Sequence, residues 1–536
     1  MTARTREDTM VEILRDAELI SQPQMQVEWL RHPAKPALQL SSALEEVRRA
    51  SSILDAMRLR RNVLRVTNAA VDEGVPASDL LVPLLEAIDD AADTVTGLTA
   101  IHALARIPGG RAEPHLARLV FDGEAGYEEH AAWAARERNP SPWLTETLAG
   151  ALPRGGVTGM HAQATLARWA GSEPQMVLAV LERRLAAETL ESGRRYLTET
   201  IGLVPGRRAR LSLERIATDV DEAFSVRSTA VAAFAERVTE KLPPSVGALA
   251  RLDDRLAKTV TTVRAQRALA RRGPRRDHAR SEGLRVAQLH LGAVLDAGAS
   301  RAGSGDTGGV ATLLSRLGPS LAAQPRVAEV TTIGRSAPDD QRRPGRARDG
   351  HRFESVDLAA GEGGSFTSAW PSLVAAQRGI RAALLAGGLP DVLHLRMADP
   401  GSLAGALVAK ELGIATVFTM APDPHVHVQA RERSGDLDRT DFARADAREA
   451  LWLRMDLVEH LATQAREVVL FPRAHLRRDL EELAGLDIAA GPPRYTIVAE
   501  GIDAGLIDTA NHTLASDARP AVLQDLEAAI GRLPAS

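Results

Sequence analysis

Two hydrophobic periods divide the chain. Up to about residue 270, apolar residues recur at i, i+3, i+4 and i+7, as in "ASDLLVPLLEAIDDAA" and "QMVLAVLERRLAAETL". That spacing lines one face of a helix, and strand-like alternation is scarce there. Small residues also recur, each after an apolar one: Ala105, Ala135, Ala167, Gly202 and Ala235, separated by 30, 32, 35 and 33 residues. A small side chain lets two helices approach closely. A period near thirty suits a two-helix unit stacked as in HEAT-like solenoids; an irregular alanine-rich bundle would repeat small residues through composition alone. The pattern predicts an N-terminal helical region over 1–90 and HEAT-like repeats over 91–262.

Past residue 284 the period shortens. "LRVAQLHLGAVL", "RVAEVTTIG", "FESVDLAAG", "DVLHLRM", "IATVFTMA", "EVVLFP" and "YTIVAEG" read as strands. Between them lie helical runs such as "TSAWPSLVAAQRGIRAALLAGG", "GSLAGALVAKELG" and a long stretch within 440–465. Strands alternating with helices predict an α/β, Rossmann-like, doubly wound parallel sheet over 285–510. Residues 263–284, rich in arginine with a Gly-Pro break, read as a helix end and linker. No aromatics interleave there for base stacking, so no nucleic-acid partner is expected. Residues 511–536 read as a helical tail.

Composition narrows the chemistry. Of 536 residues 44% are hydrophobic but only 3% aromatic, so Leu, Val, Ile and Ala must build the cores. There is no cysteine, which excludes disulfides, thiolate metal ligands and a cysteine nucleophile. A net charge of −4 gives no overall attraction to polyanions. The first twenty residues lack a signal-peptide core, and no apolar run reaches the roughly 18 residues a spanning helix needs. A cytoplasmic chain without a membrane span is the expectation.

In parallel sheets ligands sit beyond the carboxyl ends of the strands, and three strand ends carry candidate residues. The first is "GSGDTGGV", with Gly303, Gly305, Asp306, Gly308 and Gly309. Glycines allow close backbone approach, and the following helix N-terminus favours an anion. The G-x-G-x-x-G spacing also fits a dinucleotide loop, but the second strand lacks the terminal acid that holds a ribose; Glu329 lies mid-strand. The second is "DVLHLRMADPGSLAG", where His394 and Arg396 share one side of a strand and Asp399 follows. A structural role gives Asp399 only a helix cap and His394 only a core position. The third is "TVFTMAPDPHVH", with His425 and His427. No nearby carboxylate cluster accompanies these histidines, so no metal is expected.

These motifs resemble those of sucrose synthases and sucrose-phosphate synthases, retaining glycosyltransferases of the two-Rossmann-domain (GT-B) type. "GDTGGV" is similar to the family's D-T-G-G-Q loop, and "LHLRMADPG" to I-H-G-H-Y-A-D-A-G. "LRMDLVEHLATQAREVVLFPRAHLRRDL" and "VAEGID" are similar to later family segments. The four are colinear over 285–505. The resemblance implies that residues 285–510 are the acceptor-side Rossmann domain. It implies that Asp306, Gly308 and Gly309 form a loop touching the donor, whose amides stabilise developing charge. His394, Arg396 and Asp399 would bind the acceptor, and Arg396, in place of a family histidine, suits an anionic one. The family strand ending in T-G-H reads Thr419-Met420-Ala421 here, which leaves His425 as the candidate catalytic group.

The family's donor domain, with its E-x7-E pair, needs about 150 further residues; 33 follow Asp503. The tail is therefore expected to lead toward a donor domain outside this sequence. The expected reaction is retaining transfer from a nucleotide diphosphate sugar, used as co-substrate, to a small-molecule or glycan acceptor, with no cofactor. A protein partner on the helical repeats is expected as well. The competing readings are a non-catalytic binding or scaffold module with a degenerate Rossmann domain, and an NAD(P)-binding oxidoreductase.

Overall fold

A computed structural model describes residues 36–237, 240–272, 283–296, 308–336, 350–358, 373–386, 388–472, 476–482, 486 and 494–498. Within 36–272 every regular element among the described residues is helical, from Pro36–Arg49 to Asp254–Arg272. Local chemistry sets the helix starts. Ser52 caps Ile53–Asp72 by accepting from the Asp55 amide at 3.1 Å. Ser141 caps Pro142–Ala151, whose first residue is a proline with no amide to orphan.

One of the recurring small residues sits at a close helix approach. Ala105, Ala135, Gly202 and Ala235 are buried and Ala167 half-buried. A Cβ on Gly202 would lie 2.7 Å from the Cβ of Ala233, so only glycine permits that approach.

A second recurrence runs beside the first. Buried Arg138 donates to the carbonyls of Ile107 and Gly109. Arg168 donates to Arg136 O at 2.8 Å. Arg237 donates to Val204 O at 2.7 Å and Gly206 O at 2.6 Å, and Arg267 to Phe234 O at 2.6 Å and Arg237 O at 2.7 Å. Each guanidinium reaches back about one helix pair. The carbonyls lie in the turns between helices, where backbone partners run short, though Gly206 O and Arg237 O also accept from the Arg210 and Glu240 amides.

The second half contains a seven-stranded, all-parallel sheet: β1 Leu284–Leu289, β2 Val327–Arg335, β3 His351–Val356, β4 Val392–Arg396, β5 Ala415–Thr419, β6 Glu467–Leu470 and β7 Arg494–Ile497. Their spatial order is β3-β2-β1-β4-β5-β6-β7. The chain builds outward from β1 to β3, then returns to start again at β4 beside β1. Gln288 of β1 therefore lies between Thr332 of β2 and His394 of β4. This Rossmann-like arrangement places its topological switch point between β1 and β4. Helix Pro400–Leu412 lies close against both strands, because a Cβ on Gly405 would come within 2.4 Å of Leu289 and 2.8 Å of Leu395.

Two elements differ from the reading of periods. The stretch within 440–465 is two helices, Phe442–Glu449 and Leu451–Gln464. Ala450, with φ +50°, turns the chain between them, and Asp446 accepts from the Trp452 amide at 2.6 Å. Residues 424–434 form a helix that periodicity does not signal, capped by Asp423. The arginine-rich stretch is helical to Arg272, and the residues after it to 282, like those of the tail 511–536, lie outside the described residues.

The two halves share one apolar core. Polar contacts reinforce the join. Asp93 pairs with Arg439 at 2.6 Å, Arg60 with Asp456 at 3.1 Å, Arg378 with Glu236 at 2.7 Å, and the Ile53 amide donates to Glu432 at 2.8 Å. His102, His130 and Asp446 form a hydrogen-bonded chain across it, each link 2.8 Å.

Candidate functional site

All seven strands point the same way, so every strand-end motif reaches one edge of the sheet. The candidate site is built where β1 and β4 end side by side. His394 shares a hydrogen with the Thr419 hydroxyl of β5 at 2.7 Å. Two residues on, buried Arg396 lies 5.3 Å over the ring of Phe471, which follows β6. Met397 then takes φ +71°, a left-handed conformation that a side chain resists, at the strand's carboxyl end. Asp399 caps the next helix by accepting from the Ser402 amide at 2.6 Å, and the Ser402 hydroxyl donates back to Arg396 O at 3.0 Å. These bonds fix the turn that carries Arg396 and Asp399.

Gly308 and Gly309 open helix Gly308–Ala322, which follows β1. A Cβ on Gly309 would meet no atom within 4 Å. Packing does not demand glycine at that position. Asp306, with Gly303 and Gly305, lies outside the described residues. His425 sits in the first turn after β5, buried, its Nδ1 3.0 Å from Asp423. Its ring is thus held by its own turn. His427 lies 3.5 Å from Glu449. Among the described residues no three acidic or histidine side chains gather as a metal site.

One residue was not singled out by sequence. His290 directly follows β1, is 1% exposed, and among the described residues neither ring nitrogen has a hydrogen-bond partner. A buried imidazole with both nitrogens unsatisfied is costly. Burial pushes it down to about 4, and the positive charges of Arg396 and Arg335 push the same way. His394 is likewise held at about 4 by burial and by Arg396. Two imidazoles held neutral, His290 after β1 and His394 on β4, thus lie near the guanidinium charge of Arg396. The signal was available: a lone histidine at the end of an apolar run, just where the chain leaves the sheet.

Asp399 departs in the opposite direction. Burial raises its carboxyl to about 6, although the Ser402 bonds and the charge of Arg454 pull it down. The folded protein holds that proton more tightly than the unfolded chain does. Ionisation therefore opposes folding increasingly as pH rises from about 4 to about 6, by roughly 3 kcal/mol in full. Asparagine caps a helix as well as aspartate. Asp399→Asn is accordingly expected to be more stable than the parent at pH 7 by up to roughly 3 kcal/mol, with no advantage at pH 4. Urea denaturation across that range checks it; parallel stability curves for the two proteins would rule the account out.

Neither protein-family models nor curated proteins give a match to this chain. The geometry of the strand ends therefore carries the functional argument. No helix among the described residues is long and apolar enough to cross a membrane.

Proposed function

We propose that the α/β half is the acceptor-side domain of a retaining GT-B glycosyltransferase, and that the helical half is a HEAT-like solenoid that holds a protein partner. The observation carrying this reading is the convergence of His290, Arg396 and Asp399 on the β1–β4 switch point, where Rossmann-like sheets bind ligands. Arg396 supplies a fixed positive charge for a phosphate or carboxylate. His290 offers an unspent ring nitrogen to a sugar hydroxyl. Gly308 and Gly309 begin a helix whose N-terminal amides suit a diphosphate. A nucleotide diphosphate sugar enters as co-substrate, and the chemistry requires no cofactor.

A second reading has one observation in its favour. Arg335 ends β2, where an arginine can accept the 2′-phosphate of NADP. Against it, Glu329 is engaged by Arg285 at 2.7 Å and Arg352 at 3.1 Å, away from the strand end. The scaffold reading predicts no small-molecule binding at all.

Calorimetric titration with UDP-glucose, ADP-glucose, glucose 6-phosphate and NADPH separates the three. The glycosyltransferase reading expects a sugar nucleotide or sugar phosphate to bind, with Arg396→Met weakening it tenfold or more at unchanged fold. Binding of NADPH alone transfers the assignment to an oxidoreductase. Heat from none of the four supports the scaffold.

A further inference from the structure

The last helix pair of the helical half, Pro244–Leu252 and Asp254–Arg272, leaves a groove of about 400 Å³ between its members. Among the described residues four arginines line it, Arg251, Arg264, Arg267 and Arg271, and no acidic residue does. Arg267 is buried, with its donors spent on the carbonyls of Phe234, Arg237 and Glu240. It fixes positive charge beneath the groove. Arg264 spans the gap, donating to Gly247 O at 2.8 Å. Arg251 and Arg264 are exposed, and among the described residues neither meets a carboxylate within salt-bridge distance.

Several other arginines of this half are paired: Arg183 and Arg184 with Glu146, Arg194 with Glu222, and Arg227 with Asp253. In sequence, residues 273–282 carry Arg275, Arg276 and Arg280 against Asp277 and Glu282. Beside Arg251, Leu252 is 78% exposed.

We propose that this groove binds an acidic, extended peptide segment of a partner protein, with carboxylates on Arg251 and Arg264 and an aliphatic side chain against Leu252. A peptide fits better than a nucleic acid because no aromatic side chain lines the groove for base stacking. The apolar wall of Pro243 and Pro244 and the exposed leucine offer contacts that a phosphate backbone cannot use. Helical-repeat surfaces of this kind serve as binding faces.

The test is fluorescence anisotropy of the whole chain with a fluorescein-labelled peptide, Glu-Glu-Leu-Glu-Glu, at 50 and 300 mM salt. The expected result is saturable binding that weakens with salt and falls at least tenfold in Arg251→Glu/Arg264→Glu. The neutral pair Arg251→Gln/Arg264→Gln should fall less, at an unchanged melting temperature. Absence of binding, or equal affinity of parent and both variants, overturns the proposal. So does tighter binding of labelled oligouridine than of the peptide by the parent.

Discussion

Asp446→Ala should lose roughly 2–6 kcal/mol of folding free energy, because it leaves two buried hydrogen-bonding groups unsatisfied at about 1–3 kcal/mol each. Asp446 is 5% exposed and joins two halves of the molecule: one oxygen bonds His130 at 2.8 Å, the other the Trp452 amide at 2.6 Å. Removing it strands both groups in an aromatic pocket, where the His130 ring lies 5.0 Å from Trp452 and 5.6 Å from Trp133. Substituting His130 as well should recover part of the loss, since the orphaned imidazole goes too. Urea unfolding of the two single variants and the double variant measures the coupling. A single-variant cost under 1 kcal/mol, about the worth of an exposed ion pair, would show that the link is incidental to the join.

The second large effect is expected at Arg237. Its guanidinium, 7% exposed, bonds Val204 O, Gly206 O and Glu240. Arg237→Met keeps the apolar stem but takes the guanidinium from buried Val204 O and leaves Gly206 O with the Arg210 amide alone. A buried acceptor left unsatisfied costs about 1–3 kcal/mol, so roughly 2 kcal/mol overall is expected. Arg208→Met provides the control, because the Arg208 bond to Gln175 is exposed; it should change stability by less than about 0.5 kcal/mol. Equal effects at the two positions would mean that the recurring arginine–carbonyl contacts are not what holds successive helices together.

The sheet was legible because parallel strands, buried on both faces, read as short apolar runs between glycine and proline breaks. Strand order was less so, since no local pattern says where the chain doubles back; the adjacency of β1 and β4 came from the structure. The cross-half contacts were not legible at all. His130 and Asp446 are 316 residues apart, and neither stands out from its neighbours. Helix Pro424–Ser434 was within reach: Asp423 before Pro424 is a cap followed by proline at the first helical position. Two prolines in three residues suggested a turn instead. At the candidate site, His394 and Arg396 were readable from their shared side of a strand and Asp399 from its place just beyond that strand. His290 needed burial and bonding information, because in sequence it is one polar residue at the edge of an apolar run.

Helix Leu451–Gln464 has a consequence beyond its packing. One of its sides carries Asp456 and Glu459, gripped by Arg60 and Arg61 of the first half. Another carries Arg454, whose charge is felt by Asp399 at the strand ends. A helix transmits displacement along and about its axis as a stiff rod. The same rod therefore carries, on two of its sides, ion pairs of the join and a charge near the Asp399 carboxyl.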